Sequence, residues 1–277
     1  MVLLLAASLA TVAGCPTPNT GTTGDPNLPG NTSWVKISAN ATWQWQLQAG
    51  ANGLNTSYKV DVYDIDLFDT PESLVDQLHA DGRIVIAYFS AGSYEDFRDD
   101  AVEFQDGDLG DPLDGFADER WLDVRSQNVR RIMLARLDLA AAKGFDGVEP
   151  DNVTAFVDGS GVDVTAADQL DYNRFIAREA HKRGLAVGLK NDLEQIRQLV
   201  DDFDFAVNEQ CHEFDECDAL QPFIEAGKPV FSAEYADQYV NDGAARTEIC
   251  GESTAQGIHT LVLPEDLDDS FRFSCGS

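Results

Sequence analysis

Eight apolar runs of strand length recur along the chain, and most are separated by stretches with helical periodicity. They are 42–47 (TWQWQL), 58–66 (YKVDVYDID), 83–90 (RIVIAYFS) and 144–150 (GFDGVEP), then 185–191 (LAVGLKN), 203–209 (FDFAVNE), 229–235 (PVFSAEY) and 257–264 (GIHTLVLP). Helices are expected at 70–82, 123–144, 165–184, 191–202 and 216–228. The first opens with Thr70 and Pro71 and the third with Thr165, and each of the first three closes on a glycine, at Gly82, Gly144 and Gly184. Within 123–144 the buried stripe runs through Val129, Ile132, Met133, Arg136, Leu137 and Ala140. Near-continuous apolar strands alternating with helices predict an α/β fold, a single-domain (β/α)8 TIM barrel, for which 277 residues are ample. A doubly wound open sheet is the alternative, and no GxGxxG or Walker sequence favours it.

The amino end has a different character. Residues 1–14 form a short apolar run ending in small residues, which predicts a signal peptide rather than a spanning helix. The following "VAGC" resembles the lipobox of bacterial lipoproteins, with Cys15 as the lipidated residue. Residues 15–33 have little to bury and are expected to be a flexible linker, leaving 34–277 as the barrel. The expectation is an exported monomer, anchored to the membrane of a bacterium only through its lipid, or else secreted.

Four further cysteines, Cys211, Cys217, Cys250 and Cys275, suit two disulfides in an exported chain. Proximity favours Cys211–Cys217 and Cys250–Cys275, although three pairings exist. A zinc site is the competing reading, but no CxxC pair is present and the chain has only four histidines. With 49 Asp and Glu against 19 Lys and Arg, the net charge is -30. Such a surface excludes nucleic acid and anionic lipid as partners and attracts cations. Salt adaptation is the other account of the same charge.

In a barrel, the residues that follow each strand share one face. Trp43, Trp45 and Gln46 lie near the end of the first run, and Asp64 and Asp66 end the second. Tyr88, Ser90 and Gly92 follow the third; Glu149, Asp151 and Asn152 follow the fourth, where Pro150 is expected to stop the strand. Lys190 and Asn191 close the fifth, Asn208, Glu209 and Gln210 the sixth, and Glu234 and Tyr235 the seventh. Acids, amides and aromatics together are the chemistry of a carbohydrate site. One of Trp43 and Trp45 is expected in the core, and Tyr88 could simply fill the barrel. Asp64 and Asp66 share parity and therefore face one side. Lys190, on an inner strand, needs an acidic neighbour.

Five strings occur in order: "VYDIDLFD", "IAYFSAGSYE", "GFDGVEPDNVTAF", "GLKND" and "NEQCHEFDEC". From about Trp43 to Leu263 they resemble glycoside hydrolase family 114, TIM-barrel endo-α-1,4-polygalactosaminidases. The resemblance implies Asp151 and Glu209 as the catalytic carboxylates, with Glu149 standing where the family commonly has Asp. It implies a retaining reaction on a cationic galactosamine-containing polysaccharide, in which Asp151 attacks the anomeric carbon and Glu209 is acid and base. No metal or organic cofactor is implied. A barrel glycosidase for another α-linked sugar and a non-catalytic carbohydrate-binding barrel are the rivals.

Overall fold

The computed structural model describes residues 22–24, 33–50, 53–156 and 159–276. The expected signal peptide and Cys15 lie outside the described residues. Of the expected linker, Thr22–Gly24 is described, and it pairs antiparallel with Ser33–Val35.

All eight expected strands form, and they run parallel in chain order: β1 Trp43–Gln46, β2 Val62–Asp66, β3 Ile84–Ser90, β4 Gly147–Asp151, β5 Ala186–Lys190, β6 Phe205–Glu209, β7 Val230–Glu234 and β8 His259–Val262. They curl into a (β/α)8-type barrel. Alternation along each strand separates two cores. Trp43, Trp45, Val62, Ile86, Phe205, Val207 and Phe231 fill the lumen. Tyr63, Ile65, Val85, Phe89, Val148, Val187 and Leu189 pack outward against the helices. Gly188 exists for this filling, since a Cβ there would lie 2.3 Å from the Phe205 ring.

Helices α1 Glu72–Ala80, α2 Gln127–Ala142 and α3 Ala166–Lys182 match their expected positions. Ser126 caps α2, and Thr165 and Asp168 form a capping box on α3. The expected stripe of α2 is buried, Arg136 included. Its guanidinium is held by Asp100 at 2.8 and 2.9 Å and donates to the Ser90 carbonyl at 2.7 Å. The expected helix at 191–202 shortens to α4 Ile196–Leu199, because Asn191 and Asp192 adopt positive φ. That at 216–228 becomes a 3-10 turn, Cys217–Leu220, followed by α5 Gln221–Glu225.

Three features differ from expectation. No helix bridges β1 and β2 among the described residues; instead Asp61 accepts hydrogen bonds from Thr42 N and Oγ1, both 2.8 Å. Between β3 and α2 the chain inserts an antiparallel sheet of Ser93–Glu95, Leu109–Leu113 and Phe116–Leu122. After β7 come α6 Asp237–Asn241 and α7 Gly243–Gln256, whose sequence carries little apolar periodicity. No helix among the described residues is long and apolar enough to cross a membrane.

Pro150 does not stop β4. The strand continues to Asp151, paired with β3 as far as Ser90, while its ladder to β5 ends at Val148. Proline withdraws one donor from one side of the sheet only.

Among the described residues no backbone ladder joins β8 to β1. Side chains and the carboxyl-terminal segment close this seam. The Trp43 indole donates to the His259 carbonyl at 2.9 Å, and Arg272 donates to the Trp43 carbonyl at 3.0 Å and to Gln44. Phe273–Ser274 pairs antiparallel with β8, and the Cys250–Cys275 disulfide fastens it to α7. The second disulfide joins Cys211 to Cys217. His212 lies beside those two sulfurs, but their bond leaves no thiolate for the expected zinc alternative. Replacing Cys250 and Cys275 together by alanine should lower stability by about 3 kcal/mol, the loop-closure value for a separation of this length. Chemical denaturation of the purified variant measures it.

Candidate active site

Three adjacent strands end alike. Asp151, Lys190 and Glu209 are the last residues of β4, β5 and β6, and each precedes a non-glycine residue with positive φ: Asn152 at 59°, Asn191 at 52° and Gln210 at 61°. Left-handed backbone is unfavourable for such residues and most tolerated by asparagine. Here it turns the chain away directly after a lumen-facing charge, so the charged side chain projects over the barrel mouth.

The three charges meet. Lys190 Nζ lies 3.1 Å from Glu149 Oε1, 3.2 Å from Asp151 Oδ1 and 3.3 Å from Glu209 Oε2. The lysine side chain is 2% exposed and that of Glu149 is 0%, whereas Asp151 and Glu209 keep 17% and 29%. Nζ also sits 4.7 Å from the Trp45 ring centre. Burial disfavours the ammonium, but the carboxylates of Asp151, Glu149 and Glu209 outweigh it and hold the Lys190 pKa well above its ordinary value.

Each outer carboxylate has a tyrosine. Tyr88 donates to Asp151 Oδ2 at 2.8 Å, and Tyr235 donates to Glu209 Oε1 at 2.7 Å. Burial and the neighbouring acids push both phenols well up, so both stay protonated donors. Asn152 N donates to Asp151 Oδ1 at 2.7 Å, and Asn191 Nδ2 donates to Glu209 Oε2 at 3.2 Å. Beneath them, burial and the Glu149 charge raise Asp64 well above the usual carboxylate range, so it keeps a proton and shares it with Glu149. Burial lifts Glu149 to about 7 despite the Lys190 charge.

A cleft of about 1030 Å³ opens above this cluster, lined by Trp45, Tyr88, Asp151, Asn152, Lys190, Asn191, Glu209, Gln210 and Tyr235. Asp66 also lines it, bound by Arg98 at 2.6 Å. Other expected site residues lie elsewhere. Trp43 is buried against Trp45 and Phe231 within the lumen. Gln46, Asn208 and Glu234 have the opposite parity and point outward. Gln46 donates to the Gln48 carbonyl and accepts from Asn55 N, Asn208 donates to Asn191 Oδ1 at 3.2 Å, and Glu234 accepts from His212 N at 2.8 Å. Burial lifts Glu234 to about 7 there. Ser90 is buried under Asn152, to which its hydroxyl is an acceptor at 3.0 Å. Gly92 lies so close to the Asn152 carbonyl that a Cβ would be 1.7 Å from it, so its part is to admit that turn.

The inserted sheet supplies what the strand ends do not predict: Glu95, Phe97, Arg98, Phe116 and Glu119 all line the cleft. Phe97 and Phe116 are exposed aromatics on this wall. The signal for it was the turn-forming "DPLDG" flanked by charged alternation, which belongs to none of the eight units.

Removing Lys190 would leave a buried carboxylate unpaired, a change that typically costs 3–5 kcal/mol. Glu149 would then take up a proton more readily still. Since protonation removes the unpaired charge, the cost of Lys190→Met should grow as pH rises above about 7, where Glu149 ionises only in the wild type, and level off below it. Denaturation of both proteins at a series of pH values measures it; a cost independent of pH would show that Glu149 is not the group left exposed.

Comparisons place this geometry among known proteins. A model of glycoside-hydrolase family GH114 matches residues 24–277. Among solved structures, Ega3 of Aspergillus fumigatus in complex with galactosamine superposes with a TM-score of 0.81 at 39% identity, covering 87% of this chain and 97% of that one. The glycoside hydrolase domain of PelA from Pseudomonas aeruginosa shares the fold, with a TM-score of 0.66 at 15% identity over 83% of this chain and 96% of that domain. A search of curated proteins finds no match. With its barrel, its carboxylate cluster and a family match over nearly the whole length, the chain is a glycoside hydrolase and belongs to family GH114.

Proposed function

We propose that this enzyme cleaves α-1,4-linked galactosamine polymers internally with retention of configuration, using Asp151 as nucleophile and Glu209 as acid and base. The observation that carries the reading is the shared lysine. One oxygen of Asp151 and one of Glu209 both touch Lys190 Nζ, so these oxygens are separated by less than the sum of two contacts of 3.2 and 3.3 Å. Retaining pairs lie about 5–5.5 Å apart, while inverting pairs need about 6.5–9.5 Å to admit a water between them.

The surroundings divide the two roles. Asp151 touches an ammonium and accepts from a phenol and a backbone N–H, which together fix the orientation of its carboxylate as attacking group. Its attack on the anomeric carbon breaks the glycosidic bond as Glu209 gives a proton to the departing oxygen. Water then enters, loses a proton to Glu209 and displaces Asp151 from the sugar. Glu209 is the more exposed of the pair, as a group that exchanges protons with water must be. Lys190 and the two tyrosines fix both carboxylates before substrate arrives.

The substrate class rests on charge and on the galactosamine-bound relative. Ten carboxylates line the cleft, and its two cations, Arg98 and Lys190, are both engaged by acids. The same balance of -30 covers the whole chain. A partly de-N-acetylated polymer is therefore attracted, and a polyanion is repelled. The two disulfides agree with an exported protein. A lipid anchor at Cys15, on a monomer held at a bacterial surface, belongs to the same proposal.

Asp151→Asn and Glu209→Gln should each lower turnover by about a thousandfold or more in protein that circular dichroism shows to be folded, since each removes a group required in the transition state. Proton NMR of the first product should show the α-anomer before mutarotation. Initial release of the β-anomer would reverse the stereochemistry and remove Asp151 from the nucleophile's place.

A further inference from the structure

We infer that Glu119 is a specificity-determining residue of this cleft: one of its carboxyl oxygens receives the ammonium of an amino sugar in the bound chain. The inference rests on the proposed substrate class, but it concerns a residue outside the eight strand ends and outside the pair that reacts.

Glu119 lies on the inserted strand Phe116–Leu122, opposite Glu95 of Ser93–Glu95, and faces the cleft. Its position is fixed through a short polar chain. Oε2 accepts from the Ser93 hydroxyl at 2.6 Å, and that hydroxyl meets Ser90 Oγ at 2.6 Å and Asn152 Nδ2 at 3.3 Å. Asn152 is the left-handed residue after Asp151, and its backbone N–H holds Asp151 Oδ1. The carboxyl of Glu119 is thereby tied to the turn that presents the nucleophile.

Among the described residues, none donates a hydrogen bond to its other oxygen, Oε1, and none forms an ion pair with the side chain. The charged groups around it are Glu95 across the strand pair, Asp151 on β4 and Arg98 from the turn after Glu95. Arg98 is already committed, through Nε to Glu95 and through both terminal nitrogens to Asp66. Glu119 is thus an acid among acids, anchored at one oxygen and open at the other. Burial, with the Glu95 and Asp151 charges, lifts it to about 7. An arriving cation supplies both a donor for Oε1 and a charge to offset the neighbouring acids; a hydroxyl or an acetamide supplies at most the donor. A purely structural carboxyl would need only its bond to Ser93.

Glu119→Gln separates the two roles, because the amide keeps an acceptor for Ser93 and loses the charge. Ligand-observed NMR titrations with galactosamine and with N-acetylgalactosamine, from about pH 5.5 to about 8.5, read the outcome. Wild-type affinity for galactosamine should rise as Glu119 loses its proton near 7. It should fall again as the amine loses its own, near the ~7.7–8.0 of an α-amino group. Glu119→Gln should bind galactosamine about tenfold more weakly, the weight of one charge-assisted hydrogen bond, and lose the rising limb. N-acetylgalactosamine should bind both proteins alike. Unchanged galactosamine affinity and pH profile in Glu119→Gln overturns the inference, as does a wild type that does not favour the amine. A wild type that binds galactosamine through Glu119 yet leaves the polymer intact would remove the proposed hydrolysis and keep this site. One that cleaves while Glu119→Gln binds normally would do the reverse.

Discussion

An ammonium taken almost wholly out of water costs several kcal/mol unless charges of opposite sign surround it in good geometry. Lys190 meets that condition with three carboxylates from the two strands that flank its own, and the demand propagates outward. Glu149 has to lie at the bottom of the mouth, Asp64 has to keep a proton so that two acids can share that depth, and Asp151 and Glu209 have to converge from either side. Replacing all of this by apolar side chains would give an equally stable barrel or a more stable one. The arrangement is therefore better understood as positional. A single cation holds two cleft-lining acids at a fixed spacing while each keeps part of its carboxylate exposed to the cleft.

The backbone is shaped to the same end. Left-handed residues after β4, β5 and β6 carry a conformational cost that a structural loop could avoid with glycine. Asparagine side chains at two of these turns are put to use: Asn152 bonds to Ser90 and Ser93, and Asn191 clamps both the backbone and the carboxylate of Glu209. The inserted sheet is bolted down by Arg98 and Arg136, which bridge Asp66, Glu95 and Asp100 beneath it. One wall of the cleft thus stands on an ion network, and the opposite one on the loops after β1 and β8.

Much of this was legible in the sequence, and the failures have physical causes. Strand and helix positions follow from periodicity, and Lys190 at the end of an apolar strand demanded the acids that the structure supplies. Gln46, Asn208 and Glu234 were drawn into the site because position at a strand end was weighed without the alternation of side chains. Once Glu209 and Tyr235 face the lumen, their neighbours Asn208 and Glu234 must face away. Trp43 and Trp45 share parity, so alternation could not choose between them. Depth does: Trp43 lies beneath, stacked on Phe231, while Trp45 reaches the ammonium. The inserted sheet escaped because its strands are too polar to register as a buried run, and Glu119 escaped with it. Its partner Ser93 lies 26 residues away in sequence, a distance over which no local pattern carries information.

The seam between β1 and β8 sets the barrel apart from one closed by a continuous ladder. Indole, guanidinium and amide groups span it, with the carboxyl-terminal strand lying along β8. Side-chain bonds can be released one at a time, whereas ladder bonds are lost together, so subglobal opening should begin along this line. The barrel then has a built-in direction of breathing. Amide protons of β1 would exchange with solvent sooner than those of β4 and β5, which hold Asp151 and Lys190 on the far side of the barrel. The cleft's carboxylates and their lysine are thereby kept away from the line along which the barrel opens.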